Sequence, residues 1–349
     1  MISEETTRSL HMIEGPIGLL LNLLALYLIA TKSKNMGGKY PHLLFAFCSC
    51  NLALIVIDML TLPANLVSGQ TYLLFAHRTV LGDRQLTYWL LLAYCCTFAQ
   101  ILVLLMFQFM YRYSIVDRNS FFGKQKVPRV VCLCVGLSVL VCTLWTLDVH
   151  IFNNAVTAEP SVYMALSSAF SQTFGKDLVN FAATGNNFSP SQNPHYLRTY
   201  LVTIFLVVIL GCTWNIIILA GYKIYRLLSQ NVMASKTTKR LQKELFHALV
   251  IQLLIPLFCS YIPLGCIFSS AMLDLPIDIS FACILVLIDP ILEPIAIIYL
   301  IKCYRRAIIG WIRKTKEEPV ATISNTSQSG PISTTKRHTK NNETNPLTN

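Results

Sequence analysis

The chain has 349 residues, of which 54% are hydrophobic and only 13% charged, about half the charged share of a typical soluble domain. Its formal net charge of +11 would be compatible with nucleic-acid binding, but the basic excess lies in short segments beside apolar stretches. Membrane insertion and attraction to anionic lipid headgroups explain that placement. The composition therefore argues against a soluble domain and against nucleic-acid binding.

Seven stretches are long and apolar enough to cross a bilayer, each near or above the ~20 residues that span ~30 Å of hydrocarbon. In chain order the predicted spans are His11–Ala30, Tyr40–Pro63, Leu86–Tyr111, Val130–Val149, Tyr200–Tyr225, Leu245–Ala271 and Ser280–Ile301. The sequence thus predicts an all-α membrane protein, a bundle of seven transmembrane helices.

The basic residues predict the orientation of this bundle, because lysine and arginine stay on the cytoplasmic side during insertion. The connections after the first, third and fifth spans and the C-terminal tail together hold 23 of the 28 basic residues. The N-terminus is therefore predicted to lie outside and the C-terminus inside.

This topology divides the chain into three parts. Residues 1–10 form a short extracellular N-terminus, residues 11–306 the transmembrane domain, and residues 307–349 a flexible cytoplasmic tail that is too polar to bury a core. The second extracellular loop, about 150–198, is long and must either fold over the outer mouth or be disordered. Its glycosylation triplet at Asn187 is followed by Pro190, which is expected to impair modification.

The cysteines cluster in the predicted spans, and none lies in an outside loop. Buried free thiols behave as small apolar groups, so most are expected to serve packing, and no disulfide-locked cap is expected. Cys303 is the exception, because it follows the last span beside Lys302 and is a candidate for palmitoylation.

The sequence contains no phosphate-binding glycine loop, no metal-ligand spacing among its histidines and no nucleophile elbow. We therefore expect no enzyme activity, no cofactor and no metal site. The informative residues are instead polar groups within the spans, which are costly there and tend to face a bundle interior or water. Asp58, late in the second span, either lines a ligand cavity or reaches the headgroups.

The seventh span contains two carboxylates, Asp289 and Glu293, which share a helical face at i and i+4, and two prolines, Pro290 and Pro294, which kink the helix. Three interpretations stay open. The segment is a kink whose polar groups satisfy backbone and neighbouring helices, a conformational switch, or a site of proton or ion translocation.

Arg112 lies at the inner end of the third span, between Tyr111 and Tyr113. Such an arginine can hold the inner ends of the bundle together in one state and meet a cytosolic partner in another. It can equally be a snorkelling side chain that extends to the interface.

A family resemblance adds to these patterns. The segment Leu241–Pro256, LQKELFHALVIQLLIP, with its continuation Tyr261–Gly265, YIPLG, resembles the sixth-helix signature of nematode serpentine chemoreceptors of the Str type. The resemblance extends over about Gly15–Arg306. Further matching features are Tyr111-Arg112-Tyr113, Asn22, the loop segment Lys34–Gly37, the spacing from Asp58 to Pro63, and the exit Lys302–Arg306.

The chain also departs from the family pattern at two places. Asp289 stands where the family's Tyr-Pro-x-Leu-Asp-Pro motif begins with tyrosine, and Glu293 stands at its aspartate. The histidine that often follows the second-helix proline is missing after Pro63. Both departures bear on ligand choice or activation.

The resemblance implies a chemosensory receptor on sensory cilia that binds a small, often volatile, molecule and activates a heterotrimeric G protein. The candidate ligand-binding residues are Asp58, Tyr88, Trp89, Tyr94, Thr97 and Tyr261. The candidate activation residues are Pro256, Pro263, Asp289, Pro290, Glu293 and Pro294. The candidate G-protein contacts are Tyr111, Arg112, Tyr113, Lys239, Arg240, Lys243 and Arg305.

Other classes of function stay open. A transporter would show repeated halves, which this sequence lacks. A ligand-gated cation channel of the insect odorant-receptor kind also has seven spans but the opposite orientation, against the basic-residue pattern. A receptor for a peptide or another internal signal is a further alternative.

Overall fold

The computed structural model describes residues 4–33, 40–117, 125, 127–154, 158–230, 236–275 and 280–317. Within these ranges, the side chains of residues 4–8, 127, 236–239, 241, 280–284, 287 and 314–317 lie outside the description. The chain divides into two compact units, Met1–Ala307 and Ile308–Asn349. Of the second unit, only helical residues up to Glu317 are described.

A helix occupies each of the seven predicted spans. The helices of the first unit are α1 Glu4–Lys32, α2 Tyr40–Thr61, α3 Arg84–Val116, α4 Val127–Phe152, α5 Pro160–Phe174, α6 Tyr196–Ser229, α7 Lys236–Pro256, α8 Ile262–Leu273 and α9 Ser280–Leu300. A π-helical turn, Leu257–Tyr261, joins α7 to α8, so both belong to the sixth predicted span. A last helix, α10, runs from Lys302 to Glu317.

Six membrane-crossing helical stretches meet the requirements of length and hydropathy among the described residues. They are Ser9–Lys32, Tyr40–Thr61, Arg84–Val116, Pro128–Phe152, Tyr196–Ser229 and Gln242–Leu273. The seventh predicted span corresponds to α9, which contains Asp289 and Glu293. Only some of the side chains of α9 are described.

Helix α3 is the central helix of the bundle. Asp83 caps its first turn, because its side chain accepts hydrogen bonds from the backbone N–H groups of Gln85 and Leu86 at 2.8 and 3.1 Å. The helix contacts α2, α4, α6 and α7, and 56% of its most apolar window is buried. In α4 the corresponding share is 6%, which leaves most of that helix to face lipid.

One end of the bundle carries a small folded layer, which we call the cap. It contains the antiparallel strands β1 Pro63–Ser68, β2 Thr71–Ala76 and β3 Ala183–Asn187, in the order β1-β2-β3, together with helix α5. The first two strands form a hairpin between α2 and α3 that turns at Gly69, whose φ is +54°. The third strand comes from the segment between α4 and α6.

Strand β2 is buried on both of its faces. Leu73 and Phe75 pack outward against α5, where Phe170 lies 5.0 Å from Phe75 between ring centroids. Tyr72 and Leu74 point the other way, into the bundle. Because successive side chains of a strand alternate between faces, a strand held between a helix and a bundle requires apolar residues throughout. The sequence TYLLFA meets that requirement.

The sheet and an apolar core stabilise the cap, and at Gly185 strand β3 lies unusually close to the backbone of β2. A Cβ atom at this position would lie 2.5 Å from the backbone oxygen of Tyr72, closer than side-chain carbons come to backbone. The described cysteines are all free thiols, so this layer depends on non-covalent contacts among the residues that the structure describes.

The segment about 150–198 was predicted either to fold over the outer mouth or to be disordered, and its described part contains regular structure. Residues 158–198 fold into α5, a 3₁₀ turn at Leu178–Asn180 and β3. The hairpin of β1 and β2 was not predicted, and Pro63 begins β1 rather than ending α2. Asn187 is fully buried and donates to Thr71 Oγ1 and Gln192 Oε1 at 3.1 and 2.9 Å. A glycan on that nitrogen is incompatible with the folded cap.

The predicted flexible tail, 307–349, differs from the structure at its start, because α10 continues to Glu317. The remainder of the predicted tail lies outside the described residues, as do residues 1–3 before α1 and the loop segment Lys34–Gly37.

We predict that Gly185→Ala destabilises the protein by about 1–3 kcal/mol, because the added methyl group forces β3 away from β2. Thermal unfolding of the purified protein in detergent measures the effect. Gly136→Ala is the matched control, since a Cβ atom there meets nothing within 4 Å and alanine favours the helix. Equal melting temperatures for Gly185→Ala and wild type would contradict the prediction.

Candidate functional site

A cavity of about 100 Å³ lies between the bundle and the cap. Its walls are mainly apolar and include Phe98, Trp145, Leu206 and Phe268. The sheet forms its roof and contributes the polar side chains of Asn65, Thr184 and Asn186. The volume is of the same order as an apolar cavity of ~150 Å³ that admits benzene, so the site suits a small organic molecule.

Two buried polar atoms at this cavity have no hydrogen-bond partner among the described residues. They are Nε1 of Trp145 and Oγ1 of Thr203. Both residues line the cavity, and an unpaired buried donor costs about 1–3 kcal/mol. A ligand that accepts a hydrogen bond would remove part of that cost.

The structure brings only part of the predicted ligand-binding set to this cavity. Tyr94 lines it. Tyr261 packs one layer away, with its ring 5.2 Å from that of Phe98. Thr97 donates to the carbonyl oxygen of Ala93 at 2.7 Å, which is a bond within α3.

Two further predicted ligand-binding residues lie near the rim. Tyr88 is buried, and its hydroxyl is 3.2 Å from His150 Nδ1. Trp89 is 48% exposed and its ring lies 5.1 Å from that of His150. Neither residue is among those that line the cavity.

Asp58 is buried, with 7% of the residue exposed. Its Oδ2 atom lies 2.8 Å from Nδ1 of His11 on α1. It also lines a second, smaller cavity of about 20 Å³, together with Glu14, Ser260 and Asp289. Tyr94 and Phe98 line both cavities, so the two spaces share a wall.

Helix α9 is tied to its neighbours through polar side chains. Asn22 Nδ2 donates to the carbonyl oxygen of Pro290 at 3.0 Å. Pro290 is one of the two prolines within α9. Asn51 on α2 donates to a carboxylate oxygen of Glu293. Ser260 donates to Asp289 Oδ2 at 2.5 Å. Both carboxylates therefore face the interior of the bundle.

Two of the four prolines predicted as activation residues, Pro256 and Pro263, lie at breaks in regular helix, whereas Pro290 and Pro294 lie within the continuous helix α9. Pro256 ends α7 and precedes the π-helical turn, and Pro263 follows Ile262 in the first turn of α8. A proline removes a backbone donor and obstructs the preceding turn, and π turns are common at functional positions in helices. Ser260, the partner of Asp289, belongs to this turn.

Arg112 is buried at the end of the bundle opposite the cap. Only 4% of the residue is exposed. The guanidinium carbon sits 3.8 Å from the ring centroid of Tyr40, a cation–π contact. Its Nε and Nη2 atoms have no hydrogen-bond partner within the described part of the chain. The arginine is thus held inside the bundle in this conformation.

The other predicted G-protein contacts surround this end. Glu244 on α7 lies 3.3 Å from Arg240 and 2.5 Å from Lys302. Lys243 is exposed, whereas the side chain of Lys239 lies outside the described residues. Tyr111 is partly buried. The hydroxyl of Tyr113 donates to Asp117 at 3.0 Å. Arg305 donates to the Tyr299 carbonyl at 3.2 Å.

Cys303 is the second residue of α10, just after the last span, and is partly buried. Burial raises the pKa of its thiol, which lowers the share of reactive thiolate at neutral pH. Its neighbour Tyr304 is fully buried and shares a 2.6 Å hydrogen bond with Ser33 of α1. Palmitoylation of Cys303 stays a prediction.

Sequence reasoning missed most of the cavity. The roof residues belong to an unpredicted sheet, and Trp145 and Thr203 are single residues in lipid-spanning helices with no distinguishing pattern. Polar residues within the apolar spans were the available signal for Thr203. His11 and Glu14 follow the same principle, but their proximity to Asp58 depends on the pairing of α1 with α2.

The fold and the site define a class, namely a polytopic α-helical membrane protein with a capped interior cavity. The family model described as "Serpentine type 7TM GPCR chemoreceptor Str" matches residues 7–309. The chain therefore belongs to the serpentine chemoreceptors of the Str type, a family of seven-transmembrane G-protein-coupled receptors.

Curated relatives agree with this membership over most of the chain. Serpentine receptor class r-10 of Caenorhabditis elegans is 24% identical over 300 residues, which cover 84% of this chain and 86% of the relative. G-protein coupled receptor str-33 of the same organism is 25% identical over 267 residues, or 70% of this chain and 72% of the relative. Serpentine receptor class J-38 is 24% identical over 87% of this chain and 94% of its own length.

We predict that Asn51→Leu destabilises the protein by about 1–3 kcal/mol, because it leaves the buried Glu293 without its donor. Glu293→Met should also destabilise it, by stranding Asn51. The double variant removes both polar groups and should recover much of the loss. Melting temperatures of the four proteins complete the cycle. Additive losses in the double variant would show that the two side chains do not stabilise each other.

Proposed function

We propose that the protein is a chemosensory receptor of the plasma membrane, displayed on sensory cilia, that binds a small extracellular molecule and activates a heterotrimeric G protein. The cap faces outside and Arg112 faces the cytosol, as the basic residues favour. The observation that carries the proposal is the capped apolar cavity, where two polar atoms have no partner among the described residues, in a chain that belongs to a chemoreceptor family.

The cavity indicates the chemical class of the ligand. Its aromatic and aliphatic walls favour an uncharged, mostly apolar molecule, because a charge buried there would need a paired partner. The unpaired Nε1 of Trp145 is a donor only, so the ligand should carry a hydrogen-bond acceptor. The small volume argues against a peptide ligand.

A physical route connects this cavity to the hinge region. Phe98 lines the cavity and packs against Tyr261, whose ring is also 5.4 Å from that of Trp214. Tyr261 ends the π-helical turn that contains Ser260, the partner of Asp289. A ligand that binds one arrangement of these side chains more tightly than another shifts the balance between helix conformations.

The opposite end supplies the response. In the described conformation Arg112 is withdrawn beneath Tyr40, and Glu244 ties α7 to the beginning of α10. Movement of the sixth helix at its prolines would separate Glu244 from Lys302 and expose basic groups to the G protein. The two unpaired guanidinium nitrogens of Arg112 then gain partners or water.

Trp145→Phe tests the ligand class. The change keeps the apolar wall and removes one donor, so the concentration of an acceptor-bearing agonist that gives half-maximal signalling should rise roughly three- to tenfold. The agonist is found by testing hydrocarbons, ethers, esters and alcohols of equal carbon number in cells that express the receptor. Hydrocarbons should be weakest.

Trp89→Phe is the matched control, because it makes the same chemical change on a half-exposed ring outside the cavity. Its dose response should match wild type. If Trp145→Phe leaves the dose response unchanged while Trp89→Phe shifts it, the ligand binds at the rim instead.

Arg112→Ala tests the coupling role. The variant should reach the cell surface but lose agonist-evoked G-protein activation, since it removes the group assigned to the partner. Surface staining and a G-protein activation assay measure both properties. Arg198→Ala, an exposed arginine near the cap, should signal normally. Preserved signalling by Arg112→Ala would refute its role.

Terminal epitope tags test the orientation and separate the receptor from the channel alternative. Antibody staining before and after permeabilisation should find the N-terminal tag outside and the C-terminal tag inside. The reverse result would contradict the basic-residue argument and favour a ligand-gated channel, to be tested by agonist-evoked currents.

A further inference from the structure

Three potential metal-ligating side chains meet between α1 and α2 near the cap. His11 and Glu14 lie one turn apart on α1, so they share a helical face, and Asp58 approaches from α2. All three are buried, and one ligand atom from each lies within 4.8 Å of the others. This cluster is separate from the residues that line the larger cavity.

The cluster is chemically incomplete within the protein itself. His11 Nδ1 and Asp58 Oδ2 are 2.8 Å apart, but Glu14 Oε2 is buried and has no hydrogen-bond partner among the described residues. Glu14 as a whole is only 7% exposed. Buried carboxylates are ordinarily paired, hydrogen-bonded or bound to a metal, so the unpaired oxygen indicates a missing partner.

The space beside the cluster can hold that partner. The cavity of about 20 Å³ is lined by Glu14 and Asp58 and also by Ser260 and Asp289. A site of ~10–15 Å³ already accommodates one water molecule. Asp289 Oδ1 is a second buried oxygen without a partner in the described part of the chain. Two unsatisfied carboxylate oxygens therefore adjoin one small space.

We propose that His11, Glu14 and Asp58 bind a divalent first-row transition-metal ion, with Zn²⁺ as its simplest representative. One neutral imidazole and two carboxylates neutralise a divalent charge within the apolar bundle. Imidazole and carboxylate ligands suit zinc. Calcium and magnesium require six or more oxygen ligands and water, which this small, partly apolar site does not offer.

The geometry requires only a small adjustment. Ligands at ~2.0–2.2 Å from tetrahedral zinc lie roughly 3.3–3.6 Å from each other. The His11 and Asp58 atoms would separate slightly from 2.8 Å, and Glu14 would approach from within 4.8 Å by rotation of its side chain. Nδ1 of His11 would then be the metal ligand, with its proton on Nε2. A water molecule can complete the tetrahedron.

Metal binding at this place would influence the larger cavity, because Tyr94 and Phe98 belong to the walls of both. The ion would join α1 to α2 near the cap and lie opposite Asp289 of α9. Any coupling between ion and organic ligand is reciprocal. The site goes beyond the proposed function, and its existence does not depend on an agonist or a G protein.

The test uses the full-length protein in detergent after removal of metals with a chelator. Titration with Zn²⁺ should raise the melting temperature and saturate at one high-affinity ion per chain, because an ion bound only by the folded state stabilises it. Calcium at the same concentration should not. Glu14→Gln keeps the shape of the side chain and should weaken zinc binding at least tenfold; His11→Ala should abolish the high-affinity phase.

The matched control is His195→Ala. His195 and Glu159 form a half-exposed surface pair with 3.7 Å between Nε2 and Oε1, so this variant also removes a histidine that faces a carboxylate. Its high-affinity zinc binding should be unchanged. Loss of binding in His195→Ala with retention in Glu14→Gln would place the ion at the surface and overturn the proposal.

A spectroscopic measurement identifies the histidine ligand directly, so that loss of binding through poor folding is not mistaken for loss of a ligand. Copper(II) substituted into the wild-type protein should show, by electron paramagnetic resonance, coupling to nitrogen that disappears in His11→Ala. Folding of each variant is checked by circular dichroism. The absence of saturable Zn²⁺ binding to the wild-type protein, or nitrogen coupling that survives in a folded His11→Ala variant, would overturn the assignment.

Discussion

The structure depends on one constraint, which is that polar groups in hydrocarbon must find their partners within the protein. The backbone meets this demand by forming helices. The side chains meet it through a few long-range contacts to α9, from Asn22, Asn51 and Ser260. These residues lie on α1, on α2 and in the π-helical turn. The hydrogen bonds that satisfy the polar groups of α9 therefore also determine which elements pack around it.

The same contacts are suited to change between conformations. A buried apolar surface can slide with little loss, whereas a hydrogen bond to a buried carboxylate is either made or broken, at a cost of about 1–3 kcal/mol when broken. Asp289 and Glu293 therefore favour discrete arrangements of the helices over a continuous range. Placing Ser260 within a π-helical turn couples that choice to a segment whose own backbone pattern is irregular.

The sequence was sufficient for the bundle because each span is defined locally, by about 20 consecutive apolar residues. It was not sufficient for the cap. Strand β2 is buried on both faces and shows none of the alternation that marks a half-exposed strand, and β3 pairs with it from more than 100 positions away, as Asn187 and Thr71 illustrate. Pairings over such separations leave no local signal.

Individual site residues follow the same division. Asp58 stood out because a carboxylate in an apolar span is unusual, but its partner His11 is 47 positions away, so the pair emerges only with the packing of α1 on α2. Trp89 and Thr97 were predicted from residue type in the right helix. Neither is among the residues that line the cavity; Trp89 is half exposed and Thr97 donates a hydrogen bond to its own helix.

The cap also has a kinetic consequence. The sheet roofs only part of the cavity, so a molecule enters and leaves through the gap between the cap and the neighbouring helices. The association rate should therefore depend on the width of that gap and remain below the diffusion limit. Departure uses the same gap, so the time for which a stimulus persists after the molecule has gone from the surroundings would depend on how closely the three-stranded sheet covers the cavity.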